Sequence, residues 1–143
     1  MKLFAKAIRP HLIGMVHLKP LPGTPRYQAS QSLTQIVDSA LEETEMLARN
    51  GYQSVIVENM HDLPYVKDVG PEIIAAMTTA CKEVRKIFPK DKPVGVQVLA
   101  GANEGALAVA LAAQLEFIRA ESFVFGHVAD EGWMDGQAGH LLR

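Results

Sequence analysis

The chain has 143 residues, which makes one domain by length, since domains mostly run about 100–150 residues. Hydrophobic residues at 48% and charged residues at 21% exclude a disordered chain and supply a core. A net charge of −2 excludes a strongly basic nucleic-acid binder, so nucleic acid is not expected as a partner. Cys81 is the single cysteine. It allows no intramolecular disulfide and no cysteine zinc cage, and suits a reducing compartment. No apolar run approaches the roughly 18–20 residues of a transmembrane span.

The first 37 residues hold no Asp or Glu but carry Lys2, Lys6, Arg9, Lys19 and Arg26. Such a stretch can be a mitochondrial presequence. A strand-like run starts already at Leu12, so the residues before Pro10 read as a lead-in to it. The cytoplasm is the expected location, with the mitochondrion as the alternative.

The first strand is expected over Leu12–Leu18. A Pro-rich loop from Lys19 to Pro25 follows, rigid and accessible because proline joins neither a ladder nor a helix interior. Leu33, Ile36, Val37, Ala40, Leu41, Leu47 and Ala48 recur at helical spacing. Ser32 with Gln35 forms a capping box, and Gly51 supplies a left-handed stop. The second strand is Ser54–Glu58. A polar loop, Asn59–Gly70, leads to a helix opened by Pro71 and Glu72. Its buried stripe is Ile73, Ile74, Met77, Cys81, Val84 and Phe88. The third strand is Val94–Leu99. Asn103 reads as the N-cap of an Ala-rich helix over Glu104–Gln114. The fourth strand is Phe117–Glu121, and a Gly-rich, polar stretch runs on to Arg143.

Strands alternating with helices predict an α/β fold with a parallel sheet and right-handed crossovers. Two architectures compete: a four-stranded doubly wound sheet, and part of a (β/α)8 barrel, which typically needs about 250 residues. The polar residues separate them. Buried parallel strands should be nearly all apolar. Yet His17, Glu58, Gln97, Arg119 and Glu121 stand at or near the C-terminal ends of the four strands. With period-2 alternation, each shares a face with its own strand's odd or even partners and leaves a β-branched or small face opposite. One face then meets helices and the other a barrel interior, where polar groups pair or meet a ligand. A satisfied network, with Glu58 and Glu121 neutralised by Arg119, explains the same residues without chemistry, though it explains His17 and Gln97 less well.

Four ordered blocks carry a family resemblance: Ile13–Tyr27, Val57–Met60 with Asp62 and Val69–Glu72, Gly95–Ala100 with Asn103, and Phe117–Phe125 with His127–Gly132. Together they resemble the BtpA family. The resemblance implies a TIM-barrel-type fold, with this chain matching the N-terminal half, through the fourth strand, of members about twice as long. It leaves activity open. An enzyme acting on a small polar metabolite, sugar- or nucleoside-derived, is one expectation. A non-catalytic assembly factor of the photosystem I biogenesis type is the alternative. In the enzyme reading Glu58, Glu121 and His17 are the candidate acid–base residues. Gln97, Arg119, Asn59, Asn103 and Asp130 are the candidate substrate contacts.

No motif names a cofactor. Glu58, His61 and Asp62, or His127, Asp130, Glu131 and Asp135, lack the spacing of a specific metal motif, and solvated loops are rich in these types. Gly101–Gly105 lacks the Lys-Ser/Thr of a P-loop. Trp133 with Met134 reads either as a lid or as a buried loop anchor. Four strands cannot close a sheet that takes eight. The first and fourth strands are therefore expected as open edges, with Ile13, Met15, Ile56, Leu99 and Phe117 facing water. Self-association, or membership of a longer chain, follows.

Overall fold

The computed structural model describes residues 10–143; the lead-in with Lys2, Lys6 and Arg9 lies outside the described residues. The elements are β1 (Ile13–His17), α1 (Leu33–Arg49), β2 (Ser54–Glu58), α2 (Pro71–Ile87), β3 (Val94–Gln97), α3 (Asn103–Ala113), β4 (Phe117–Ile118), β5 (His127–Ala129), β6 (Gly132–Met134) and α4 (Ala138–Leu141). The first four strands form a parallel sheet in the order β1-β2-β3-β4. Each neighbour is the next strand in the chain, with one helix crossing between.

The core lies on one face of this sheet. Val16 and Leu18, Val55 and Val57, and Val94, Val96 and Val98 project from the strands into a cluster with Ile36, Ala40, Met77, Val84 and Val109 of the three helices. α1 packs on α2 and α2 on α3. Sequential strands with every crossover helix on one face are the arrangement of half a (β/α)8 barrel, not of a doubly wound sheet, which carries helices on both faces.

The helix boundaries follow local chemistry. The Gln35 N–H donates to Ser32 Oγ at 3.2 Å and the Ser32 N–H donates to Gln35 Oε1 at 2.8 Å, a complete capping box. Gly51, at φ +81°, turns the chain after α1. Pro71 begins α2, with Glu72 in its first turn.

Three expectations are corrected at the strand ends. β3 stops at Gln97 because the next inward N–H, that of Leu99, goes to Asn59 Oδ1 at 2.7 Å. β4 stops at Ile118, not Glu121, because the Asn103 side chain takes both backbone groups of Glu121. Asn103 is accordingly not the cap of α3; Ala102 holds that position, without a side-chain bond.

The inner face is partly open. Ile13 is 38% exposed, and Met15, Leu99 and Phe117 are half-buried. Ile56 departs from expectation: it is buried. Its register partner Gly95 has no side chain, and the Phe117 ring lies over that glycine, where a Cβ would come within 2.4 Å of it. The ring fills the gap beside Ile56.

The stretch after β4 holds a β5–β6 antiparallel hairpin and the short α4, neither of which was expected. Removing the α1 cap tests the helix boundary. Ser32→Ala should cost about 0.5–2 kcal/mol in urea unfolding, and Ser32→Asp should restore most of it.

Candidate functional site

The strand register lines up His17, Glu58 and Gln97 as neighbours at the C-terminal ends of β1, β2 and β3. Arg119 continues the row, its N–H donating to the Val96 carbonyl at 3.0 Å. Glu58 is the centre. It is 4% exposed. Its Oε1 accepts from Arg119 Nη1 at 3.2 Å, and its Oε2 lies 3.5 Å from His17 Nε2. Burial pushes the Glu58 carboxyl above its ordinary value, against the pull of Arg119 and His17, with Glu121 adding to the rise. The pair is buried at one end only, since the Arg119 side chain is 59% exposed.

Glu121 forms the second half of the row. Its Oε1 accepts from Gln97 Nε2 at 2.6 Å. Asn103 holds it in place: Asn103 Nδ2 donates to the Glu121 carbonyl at 2.8 Å and Oδ1 accepts the Glu121 N–H at 3.1 Å. The same Nδ2 donates to Gln137 Oε1 at 2.8 Å. Asn103 therefore positions the Glu121 backbone, with both of its side-chain polar atoms engaged.

Asn59 has the same character. Its amide bonds Leu99 and donates to Asp62 Oδ2 at 3.0 Å, while Asp62 Oδ1 accepts the Leu21 N–H at 2.8 Å. This chain of contacts ties the Pro-rich loop to the loop after β2 and to the end of β3. Burial raises the Asp62 carboxyl, against the bonds from Leu21 and Asn59. Lys67 Nζ donates to the Trp133 carbonyl at 3.1 Å, which joins the post-β2 loop to the hairpin. All three long loops thus gather at the end of the sheet that carries the row.

Asp130 does not join the row. It sits in the turn of the β5–β6 hairpin, exposed, with no hydrogen bond or ion pair among the described residues. Trp133 is 56% exposed and Met134 is buried, its Cε against Gly101. Met134 is the anchor of the hairpin, and Trp133 stays at the surface. Cys81 is fully buried, which raises its thiol far beyond reactivity at neutral pH. A cavity of about 320 Å³ opens beside the start of α3, lined by Lys67, Asp68, Asn103, Glu104 and Gln137, and the row lies outside it.

Tyr65 escaped the sequence reading. Its hydroxyl donates to the Met60 carbonyl at 2.7 Å. Burial raises it, and the charges of Glu58, Glu131, Asp62 and Glu121 raise it further. Nothing in a lone tyrosine of a polar loop signals that position.

A family model described as the BtpA family matches residues 8–143. An uncharacterized, mitochondrial protein of Caenorhabditis elegans is 47% identical over 139 residues, which are 94% of this chain and 50% of that protein. An uncharacterized protein of Archaeoglobus fulgidus is 36% identical, covering 92% of this chain and 52% of its own. The photosystem I biogenesis protein BtpA of Synechocystis is 35% identical over 92% of this chain and 45% of its own length. The chain spans about half the length of these relatives. No solved structure matches it.

Two expectations follow from the row. Arg119→Ala strands the buried Glu58 carboxylate, and should cost about 1–3 kcal/mol in urea unfolding at pH 7, the exposed guanidinium keeping the loss below that of a fully buried pair. Glu58 titrates above its ordinary 4.5, so its favourable contribution is full below that value and is lost as pH rises through the folded pKa. Stability of Glu58→Gln measured relative to the parent chain should therefore rise between pH 4.5 and 7; a flat difference would remove the burial argument. Asp62 keeps the same sign in both proteins and cancels.

Proposed function

The chain belongs to the BtpA family, and we propose that it forms half of a barrel-type site for acid–base chemistry on a small polar metabolite. The observation that carries this reading is the buried Glu58 carboxylate shared between His17 and Arg119 at the C-terminal ends of parallel strands. In barrels that end is where active sites are built. Burial lifts this carboxyl above its ordinary value, the direction that suits a group holding a proton for transfer. Glu58 is the acid–base group, His17 its proton partner, and Arg119 the cation that limits the rise. Glu121, held by Asn103 and Gln97, is the second carboxylate.

The remaining wall of the site comes from further β/α units, for which the relatives' additional length leaves room. In their absence the β1 and β4 edges favour self-association. No helix among the described residues is long and apolar enough to cross a membrane. The acid-free N-terminal stretch, and the mitochondrial designation of the worm relative, support a mitochondrial location beside the cytoplasmic one.

One observation favours a second reading, an assembly factor of the kind named in the Synechocystis relative. Phe125 is 83% exposed, and Val124, Val128 and Trp133 are exposed with it. An apolar surface of that kind suits a protein partner.

Native mass spectrometry of the chain joined to the further β/α units that complete the mouth, incubated in a metabolite extract, separates the two and reads the oligomeric state. A small-molecule adduct that the parent chain converts, and that Glu58→Gln binds without converting, is the expected result. An adduct converted equally by Glu58→Gln would overturn the acid–base assignment. Absence of any adduct would leave the assembly reading.

A further inference from the structure

The three long helices meet solvent differently. α1 and α2 are amphipathic: exposed positions include Gln35, Asp38 and Glu42 on α1 and Lys82 and Lys86 on α2. α3 has no such face. Past Glu104 none of its residues carries a charge or a side-chain hydrogen-bonding group, and its exposed positions are Leu107, Ala108, Leu111 and Ala112. Leu107 is 39% exposed and Leu111 83%. A helix that is apolar all round is a helix built to be covered. α2 packs along one flank of α3, and α4 meets its first turn through His140 Nε2 and Glu104 Oε1 at 2.8 Å. The flank beyond that turn stands open next to β4, the last strand of the sheet.

We propose that this α3 flank is a self-association surface whose occupant is the α3 of a second copy of the chain, laid antiparallel across a two-fold axis. The proposal rests on the self-association argued above and not on the acid–base assignment. In the relatives, about twice as long, further β/α units have the length to cover α3. The 143-residue chain by itself meets copies of itself. The far side of the sheet is a poor match for those leucines. There α1 presents its polar positions, and the His17 N–H at the β1 edge already donates to Glu43 Oε2 at 3.3 Å. Leucines set against that side would desolvate carboxylates. A two-fold contact of α3 with α3 buries no charge. Leu107 and Leu111 form one row and Ala108 and Ala112 the row beside it, so the antiparallel arrangement seats each leucine over a partner alanine. It also brings the N-terminal end of each α3, which has no side-chain cap, beside the C-terminal end of the other, where opposite ends of two helix dipoles meet.

Sedimentation velocity of the 143-residue chain from about 1 to about 100 μM tests this. The parent should sediment as a concentration-dependent dimer. Leu111→Glu, at a position 83% exposed in the single chain, should keep the parent's circular dichroism and weaken the dimer by about 100-fold or more. Val128→Glu, in the exposed apolar surface of the hairpin, should change it by less than about threefold. Ala108→Lys should also weaken the dimer, and mixing it with Leu111→Glu should restore a mixed one, because the antiparallel register sets position 111 of one copy against 108 of the other. A parent that stays monomeric would overturn the proposal and the self-association together. A dimer untouched by Leu111→Glu, or broken as strongly by Val128→Glu, would overturn the α3 pairing alone. Assemblies larger than a dimer would do the same, since a two-fold contact closes on itself. A mixture of the two variants that stays monomeric would overturn the antiparallel register.

Discussion

A carboxylate held almost out of water between parallel strands persists only with cations or donors arranged around it, and Glu58 organises this end of the molecule in that way. Desolvation works against its charge and Arg119 and His17 work for it. Because burial wins, the group is not locked as a structural ion pair with a depressed pKa. Its proton is held more tightly than that of an ordinary carboxyl. The geometry depends on the register: His17 pairs with Glu58 and Glu58 with Gln97 on adjacent strands. A slip of one residue would turn Glu58 into the apolar layer beneath the helices.

Two asparagines make that register hold at the ends of the strands. Asn59 takes the backbone of Leu99 and so ends β3, and through Asp62 it fixes the Pro-rich loop. Asn103 takes the backbone of Glu121 and so ends β4. In both cases a side-chain amide replaces the ladder one or two residues after the polar strand residue. The sheet stops where the chemistry begins, and the backbone groups released there are satisfied without solvent. These bonds support the row from behind.

Alternation of side chains along the strands was legible in the sequence, because four separate strands each put their polar residue on the face away from their β-branched residues. The helices were legible too, Ser32 and Pro71 marking their starts. The fourth strand was read too long, since Arg119, Ala120 and Glu121 have strand-like neighbours and nothing local reveals that Asn103, 18 residues away, claims Glu121. Asn103 was read as a cap for the same reason: position before a helix is a local signal, and its true bonds are to distant groups. The β5–β6 hairpin was not read, because its strands are three residues each and its anchor, Met134 against Gly101, is a tertiary contact. The surroundings of Tyr65 and of the buried Gln97 Oε1 are likewise properties of an assembled site.

The open face is less costly than four unclosed strands suggest. The large, fully buried side chains, among them Val16, Val55, Val57, Val96, Met77 and Phe88, sit on the helix side. Three helices build that layer, and its α3 edge leaves Leu107 and Leu111 exposed. On the inner face, Gly95 lets the Phe117 ring fold down beside Ile56, so one aromatic shelters a neighbour. Burying a large apolar side chain contributes about 1.5–3 kcal/mol, and among Ile13, Met15, Ile56, Leu99 and Phe117 only Ile13, at 38% exposed, counts as exposed, and it still keeps the larger part of that contribution. Among the described residues, what goes unpaired on this face is polar: Gln97 Oε1 and Glu121 Oε2 accept from nothing. The hydrophobic layer can therefore hold the four units together, while the chemistry at their ends depends on whatever completes the mouth.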